Sequence, residues 1–295
     1  MAVKLSQSHL PQLLLWLQPY LPTSFKSCAQ LYDDLKAHLE GKFPYVDFFV
    51  DRWPDPQAVS AVINSAVDKL EGKRFFQNIN LGMFAVNDKA LTNLLQDRRL
   101  VDWSKTAMLS AVPDSFWPVV MALIEEKKVG PVQPEPSLLL NATRQDLKQI
   151  PVPEGMKISP VTEDVVDVVN SAWKFSNEGS DLYIRDLVRH HPTVFLTTGD
   201  GQHVGHMLGT GCGVMGMLYV QPHFRRKGYA KVIVSQLAAK YFENGRDVYV
   251  VIAEDNEKSI NVHHSVGFKT VPNSKVAWMI TAPKSCEPWT PKSYV

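Results

Sequence analysis

The sequence predicts an α/β (α+β) chain of two domains, the second a mixed, mostly antiparallel sheet flanked by helices. Three observations predict it. At 295 residues the chain exceeds one ordinary core and suits two of about 150 residues each. A proline-rich passage between Glu125 and Pro153 interrupts it midway and has the composition of a domain boundary. After that passage the apolar spacing follows the order strand, two helices, three strands, helix, strand, helix, strand.

The first domain, expected over residues 1–150, opens with leucines at 10, 13, 14 and 17 that repeat at helical spacing. Tyr45–Asp51 (YVDFFVD) reads as a strand broken by Trp53-Pro54-Asp55-Pro56. A second strand is expected at Ala58–Ile63, and Asp88–Leu95 reads as a capped helix leading to Leu100-Val101-Asp102-Trp103. Leu138–Gln149 (LLLNATRQDLKQ) reads as helical. No catalytic constellation stands out in this half.

The second domain, expected over residues 151–295, begins with a short strand at Met156–Pro160. Thr162 is expected to cap a helix that runs to Phe175, with Val165, Val168, Val169 and Ala172 on one side, and Asp181–His190 reads as another helix. Strands at Thr193–Thr198, His203–Leu208 and Val214–Val220 are joined by Gly199-Asp200-Gly201 and by the glycine-rich Gly209–Gly213, the turn chemistry of an antiparallel meander. Gly228–Phe242 carries an apolar helical stripe and ends before Gly245. An apolar strand at Asp247–Ala253, a helix at Glu257–Val266 closed by Gly267, and a strand at Lys275–Thr281 complete the order.

Composition narrows the function classes. Hydrophobic residues make up 45% and charged residues 21%, and no apolar run approaches the roughly 20 residues of a membrane span, so no membrane role is expected. A net charge of +1 with scattered basic residues lacks the field of a nucleic-acid binder. Cys28, Cys212 and Cys286 are odd in number and far apart, which predicts neither a zinc site nor a disulfide framework, and a reducing compartment. Leu10–Leu21 resembles a secretory signal only in part, because Gln12, Gln18 and Pro19 interrupt it and no small-residue cleavage site follows. The first arginine is Arg52, unlike an arginine-rich presequence.

Chemistry concentrates between Val220 and Ala230. A strand ends at Val220, and Pro222 donates no ladder hydrogen bond. Gly228 and Ala230 are small where the next helix opens, so its unpaired N–H groups are accessible to an anion, and Arg225, Arg226 and Lys227 add positive charge. That combination suits a diphosphate; the bland alternative is a solvated basic turn.

Arg225-x-x-Gly228-x-Ala230 resembles the Q/R-x-x-G-x-G/A loop of the GNAT superfamily of acyl-CoA N-acyltransferases, and Asn256 with Gly267-Phe268 resembles its later N…GF element. Within that superfamily the chain is similar to the glycine N-acyltransferase family through VDRWPD (Val50–Asp55), LVDW (Leu100–Trp103) and VNSAWKFSNE (Val169–Glu178). The resemblance implies two GNAT-like domains, the second a complete GNAT fold. It implies acyl transfer from acyl-CoA, a co-substrate and not a permanently bound cofactor, to glycine or a similar small amino acid. It also implies a mitochondrial enzyme, in which backbone groups of Leu218, Tyr219 and Val220 hold the pantetheine. Arg225, Arg226, Lys227, Gly228, Tyr229 and Ala230 would cradle the pyrophosphate, and Asn256 would add a contact. A monomer without nucleic acid, membrane or metal is expected.

The glycine-conjugating members carry a glutamate eight positions before the strand-end proline, where this chain has Val214, which accepts no proton. Three replacements are available. His206 shares the face of residues 214 and 216 if the strand register is even, and is otherwise a half-exposed strand histidine. His263 stands four before Gly267, where many GNAT enzymes have a tyrosine that protonates the thiolate, and Glu254 follows a strand end. Cys212 has no neighbouring base in sequence, and His190-His191 lack further ligands for a metal. Acylation of a protein or peptide amine, or a CoA-binding module weakened in catalysis, are the alternatives to amino-acid conjugation.

Overall fold

A computed structural model describes residues 1–21, 25–41, 46–63, 81–104, 107–130, 134–159, 162–176, 179–210 and 214–284. The chain forms two compact units, one of Met1–Ser137 joined by residues 273–284, the other of Leu138–Pro272. The division thus falls before the expected boundary near 150, and the last strand returns to the first unit.

The first unit contains β1 (Val3–Lys4), α1 (Leu10–Leu17), α2 (Phe25–Leu39), β2 (Val46–Val50), β3 (Ala58–Ile63), β4 (Leu81–Ala85), α3 (Asp88–Leu95), β5 (Ala107–Pro113) and α4 (Trp117–Glu126). Strands β1 to β4 form an antiparallel sheet in sequential order. Helix α3 starts where Asn87 Oδ1 accepts the Ala90 N–H at 2.9 Å, a cap whose loss typically costs about 1 kcal/mol. It buries Leu91, Leu94 and Leu95 completely, against a core that includes Val101, Leu109 and Val120.

The chain enters the second unit within β6 (Glu135–Ala142). This corrects the helical expectation for Leu138–Gln149. Leu140 is fully buried, and an apolar run buried on both faces of a sheet cannot be told from a helix by periodicity. There follow β7 (Met156–Ser159), α5 (Val165–Ala172), α6 (Ser180–His190), β8 (Thr193–Thr198), β9 (His203–Gly209), β10 (Met215–Val220), α7 (Tyr229–Glu243), β11 (Val248–Ala253), α8 (Glu257–Ser265) and β12 (Lys269–Thr281). Thr162 does not cap α5: its hydroxyl donates to the Asp164 carboxylate, and the helix opens three residues later without a side-chain cap and stops at Ala172. From Val276 to Thr281, β12 pairs with β5 inside the first unit.

In the second unit β8, β9 and β10 form the expected antiparallel meander, and β7 extends it by pairing with β8. Helix α7 packs Ile233, Val234, Leu237 and Tyr241 with Val194, Val204 and Met207 of the sheet and Val248 and Val250 of β11. Helices α5 and α6 contribute Val166, Val169, Ile184 and Leu187 to a separate cluster with Phe195 and Leu208. Gly267 closes α8 at φ 105°, where a Cβ would come within 2.0 Å of the Asp146 carbonyl oxygen. Only glycine satisfies both the backbone angle and that approach.

Candidate active site

Strand β10 leaves its ladder at one point. Gly216 faces Leu208 of β9 but Tyr219 faces His206, so Met217 and Leu218 together oppose a single residue. Met217 adopts φ 55°, and an extra residue of this kind is a β-bulge that frees backbone groups from the ladder. On its other side β10 meets β11 through one parallel bridge, Val214 to Tyr249, among the described residues. The bulge therefore borders a gap between two parallel strands joined only near their amino ends. At their carboxyl ends stand the segments that carry most of the other candidates.

After β10, Pro222–Phe224 makes a single 3₁₀ turn and buries Phe224. Arg226 (φ 63°) and Gly228 (φ 84°) then take left-handed conformations. The Arg225 N–H is donated to the Pro222 carbonyl, and those of Lys231 and Val232 to Gly228. Among the described residues no partner takes up the N–H groups of the five residues from Arg226 to Ala230. Consecutive free amides at the amino end of a 15-residue helix form a concavity with partial positive charge, suited to phosphate groups. A Cβ on Gly228 would meet no protein atom within 4 Å, so its φ demands glycine and its outer face stays clear. Arg225 folds back over the strand end: its Nε donates to the Val220 carbonyl at 2.9 Å, and the guanidinium lies 5.8 Å from the Tyr219 ring. The run of free amides thus spans Arg226–Ala230, and Arg225 braces the strand end beside it.

The even register puts His206 on the face of β9 opposite Gly216, as the sequence allowed. A second bulge, where Leu196 faces Gly205 but Thr197 faces His203, brings His203 to that face as well. The rings of Phe195, His203, His206 and Tyr219 form a row, with successive centroids 4.3, 5.2 and 5.6 Å apart. His206 Nδ1 lies 3.1 Å from His203 Nε2, His203 Nδ1 lies 3.2 Å from Gln221 Nε2, and the Tyr219 hydroxyl donates to Gln221 Oε1 at 3.4 Å. His206 is 1% exposed, which corrects the half-exposed alternative. Burial, helped by His203, pushes its pKa down to about 3 and keeps the ring neutral. Burial lowers His203 too.

Residues 195–280 match the family described as FR47-like protein. Most of that match lies in the second unit. Glycine N-acyltransferase-like protein 2 of Homo sapiens is 20% identical over 285 residues, covering 92% of this chain and 95% of that protein. An X-ray structure of a Drosophila protein matches with a TM-score of 0.80 at 18% identity, covering 96% of this chain and 99% of that one. A tandem GNAT protein from the clavulanic acid biosynthesis pathway matches with a TM-score of 0.57 at 12% identity, covering 98% and 99%. The fold is therefore that of two GNAT-like domains.

Within the GNAT domain the remaining candidates are placed as follows. Leu218 in the bulge, and Tyr219 and Val220 past it, are half-buried on β10. Lys227 is exposed, its Nζ 5.5 Å from the Phe224 ring, and Tyr229 and Ala230 are half-buried at the start of α7. Asn256 is exposed and caps α8, its Oδ1 accepting the Ser259 N–H at 3.2 Å. Glu254 is half-buried directly after β11. Val214 is 7% exposed at the bridge to β11, on the face of Gly216 and His206.

His263 is 2% exposed, and its Nδ1 lies 2.8 Å from the Ser259 carbonyl, which can only accept, so Nδ1 carries the proton. Nε2 is buried, without a partner, and bare. Burial pushes the pKa down to about 4, so the neutral ring has no proton to give from that nitrogen. His190 Nδ1 is engaged by Asp186, and among the described residues no group of three or more His, Cys, Asp or Glu side chains could hold a metal. Cys212 and Asn177-Glu178 lie outside the described residues. Sequence reasoning missed His203, Gln221 and Met217. The two bulges that give the first and last their roles leave no mark on side-chain identity.

Proposed function

We propose that the chain transfers an acyl group from acyl-CoA to the amine of glycine or a similar small amino acid. The CoA diphosphate would lie in the Arg226–Ala230 cradle and the thioester along the bulged edge of β10. The observation that carries this is the run of five unpartnered amides directly after a bulged strand that diverges from its parallel neighbour. Likeness to glycine N-acyltransferase-like protein 2 over 92% of the chain supports the small acceptor.

The chemistry is modest because a thioester is already activated. The amine nitrogen attacks the carbonyl carbon, the C–N bond forms, the C–S bond breaks, and one proton moves from nitrogen to a base and then to the departing thiolate. Amides freed by the bulge would polarise the carbonyl oxygen. Val214 accepts no proton, and His206, on the same face, is the base we assign. A neutral imidazole with so low a pKa is a weak base, so turnover should be slow.

Incubation of the protein with benzoyl-, phenylacetyl- and short-chain acyl-CoA plus each amino acid, followed by thiol release, tests the proposal. Amino-acid-dependent release is expected for at least one pair. Its absence for every pair, with release on peptides instead, would shift the acceptor to a protein or peptide amine.

A further inference from the structure

We propose that Gln221 sets the tautomer of His206 through His203, and so decides whether His206 has a bare nitrogen with which to take the acceptor's proton. This deepens the proposed function and rests on His206 as its base. Each link of the row needs one proton between its two atoms, and each neutral imidazole carries one. With the amide nitrogen of Gln221 on His203, as observed at 3.2 Å, His203 Nδ1 accepts. His203 then carries its proton on Nε2 and donates it across 3.1 Å to His206 Nδ1. The proton of His206 is thereby placed on Nε2, and no lone pair remains outside the row.

A half-turn of the Gln221 amide reverses every link without moving a ring. Oε1 accepts from His203 Nδ1–H, His203 Nε2 accepts from His206 Nδ1–H, and the amide nitrogen donates to the Tyr219 oxygen. His206 Nε2 is then bare. Both polarities satisfy the same atoms at the same positions, so the amide acts as a two-way selector. In the second polarity the amine proton lands on Nε2, the imidazolium keeps its Nδ1–H on His203, and the proton passes on to the thiolate. Phe195 closes one end of the row and Tyr219 the other, and the Arg225 guanidinium lies over Tyr219. Among the described residues no carboxylate hydrogen-bonds to the row.

Gln221→Glu supplies one, because a carboxylate only accepts: His203 Nδ1–H and the Tyr219 hydroxyl each donate to it, and the second polarity is locked. Nitrogen-15 spectra of histidine-labelled protein, with His206 assigned by its loss in His206→Asn, report the tautomer directly. The expected result is an Nδ1–H tautomer with bare Nε2 in Gln221→Glu, unlike the wild type, and a several-fold faster amino-acid-dependent thiol release with unchanged KM for acyl-CoA. Gln221→Met, which keeps the shape and removes both hydrogen bonds, should give a mixture of tautomers and a slower rate. A His206 spectrum identical in the wild type and both folded variants would overturn the proposal. A tautomer change with no acyl transfer in any of the three would leave the positioning intact and sink the assigned reaction instead.

Discussion

Burial holds three histidines neutral in the folded chain. His191 and His206 are pushed down to about 3 and His263 to about 4, against an ordinary value near 6.5 in the unfolded chain. Between those limits the unfolded state binds protons that the native state refuses, so stability is complete above about pH 6.5 and is lost as pH falls. Each histidine should remove about 1.4 kcal/mol per pH unit within that window. Denaturant titrations at steps between pH 7.5 and 4.5 should show the midpoint falling, with a shallower slope in His263→Leu; a flat profile would contradict the burial. The same desolvation weakens His206 as a base, which gives Val214→Glu its interest. A carboxylate there would stand on the face of His206 beside the bridge to Tyr249. The expected outcome is faster glycine-dependent thiol release, and an unchanged or lower rate in a folded variant would count against the place assigned to that position.

Strand β10 and helix α7 act together through the loop between them. Arg225→Ala should weaken CoA binding by about 1–3 kcal/mol through lost charge-assisted hydrogen bonding and a looser strand end. Gly228→Val should weaken it more. Its side chain finds open space in the protein but enters the path of the anion, and a φ of 84° costs a non-glycine residue roughly 1–2 kcal/mol. Calorimetric titration with CoA decides: equal affinity in wild type and a folded Gly228→Val would remove the diphosphate from this loop. Much of this element pair was legible beforehand, because Pro222, Gly228 and the apolar stripe of α7 each have one local meaning. The bulges were not. Met217 is a non-glycine residue at positive φ and Val204 an ordinary strand residue, so nothing in the text says that His203 turns toward His206. Leu138–Leu140 failed for the opposite reason, since an apolar run fits a buried strand and a buried helix equally well.

Each unit ends its four-stranded antiparallel sheet with a similar strand, Leu81-Gly-Met-Phe-Ala-Val86 in the first and Met215-Gly-Met-Leu-Tyr-Val220 in the second, followed by a helix. No short period marks this pairing, because the two copies lie most of a domain apart and share little beyond Gly-Met. What differs is decisive for ligand binding. Strand β4 pairs with β3 in unbroken register from Ala58–Ala85 to Val62–Leu81, so it has no bulge. Where the second unit inserts Gln221–Gly228, the first has Asn87 alone, whose side chain occupies the helix amide of Ala90, and Asp88 adds a negative charge to the first turn. A self-capped, acidic helix start repels a diphosphate and offers it fewer free amides. The chain should therefore bind one CoA, not two. Calorimetry on the intact protein is expected to give a stoichiometry of one, and Gly228→Val should abolish all of it at the same protein concentration. A second binding event, or half the heat surviving in that variant, would mean that the first unit holds nucleotide by a route other than the helix amides.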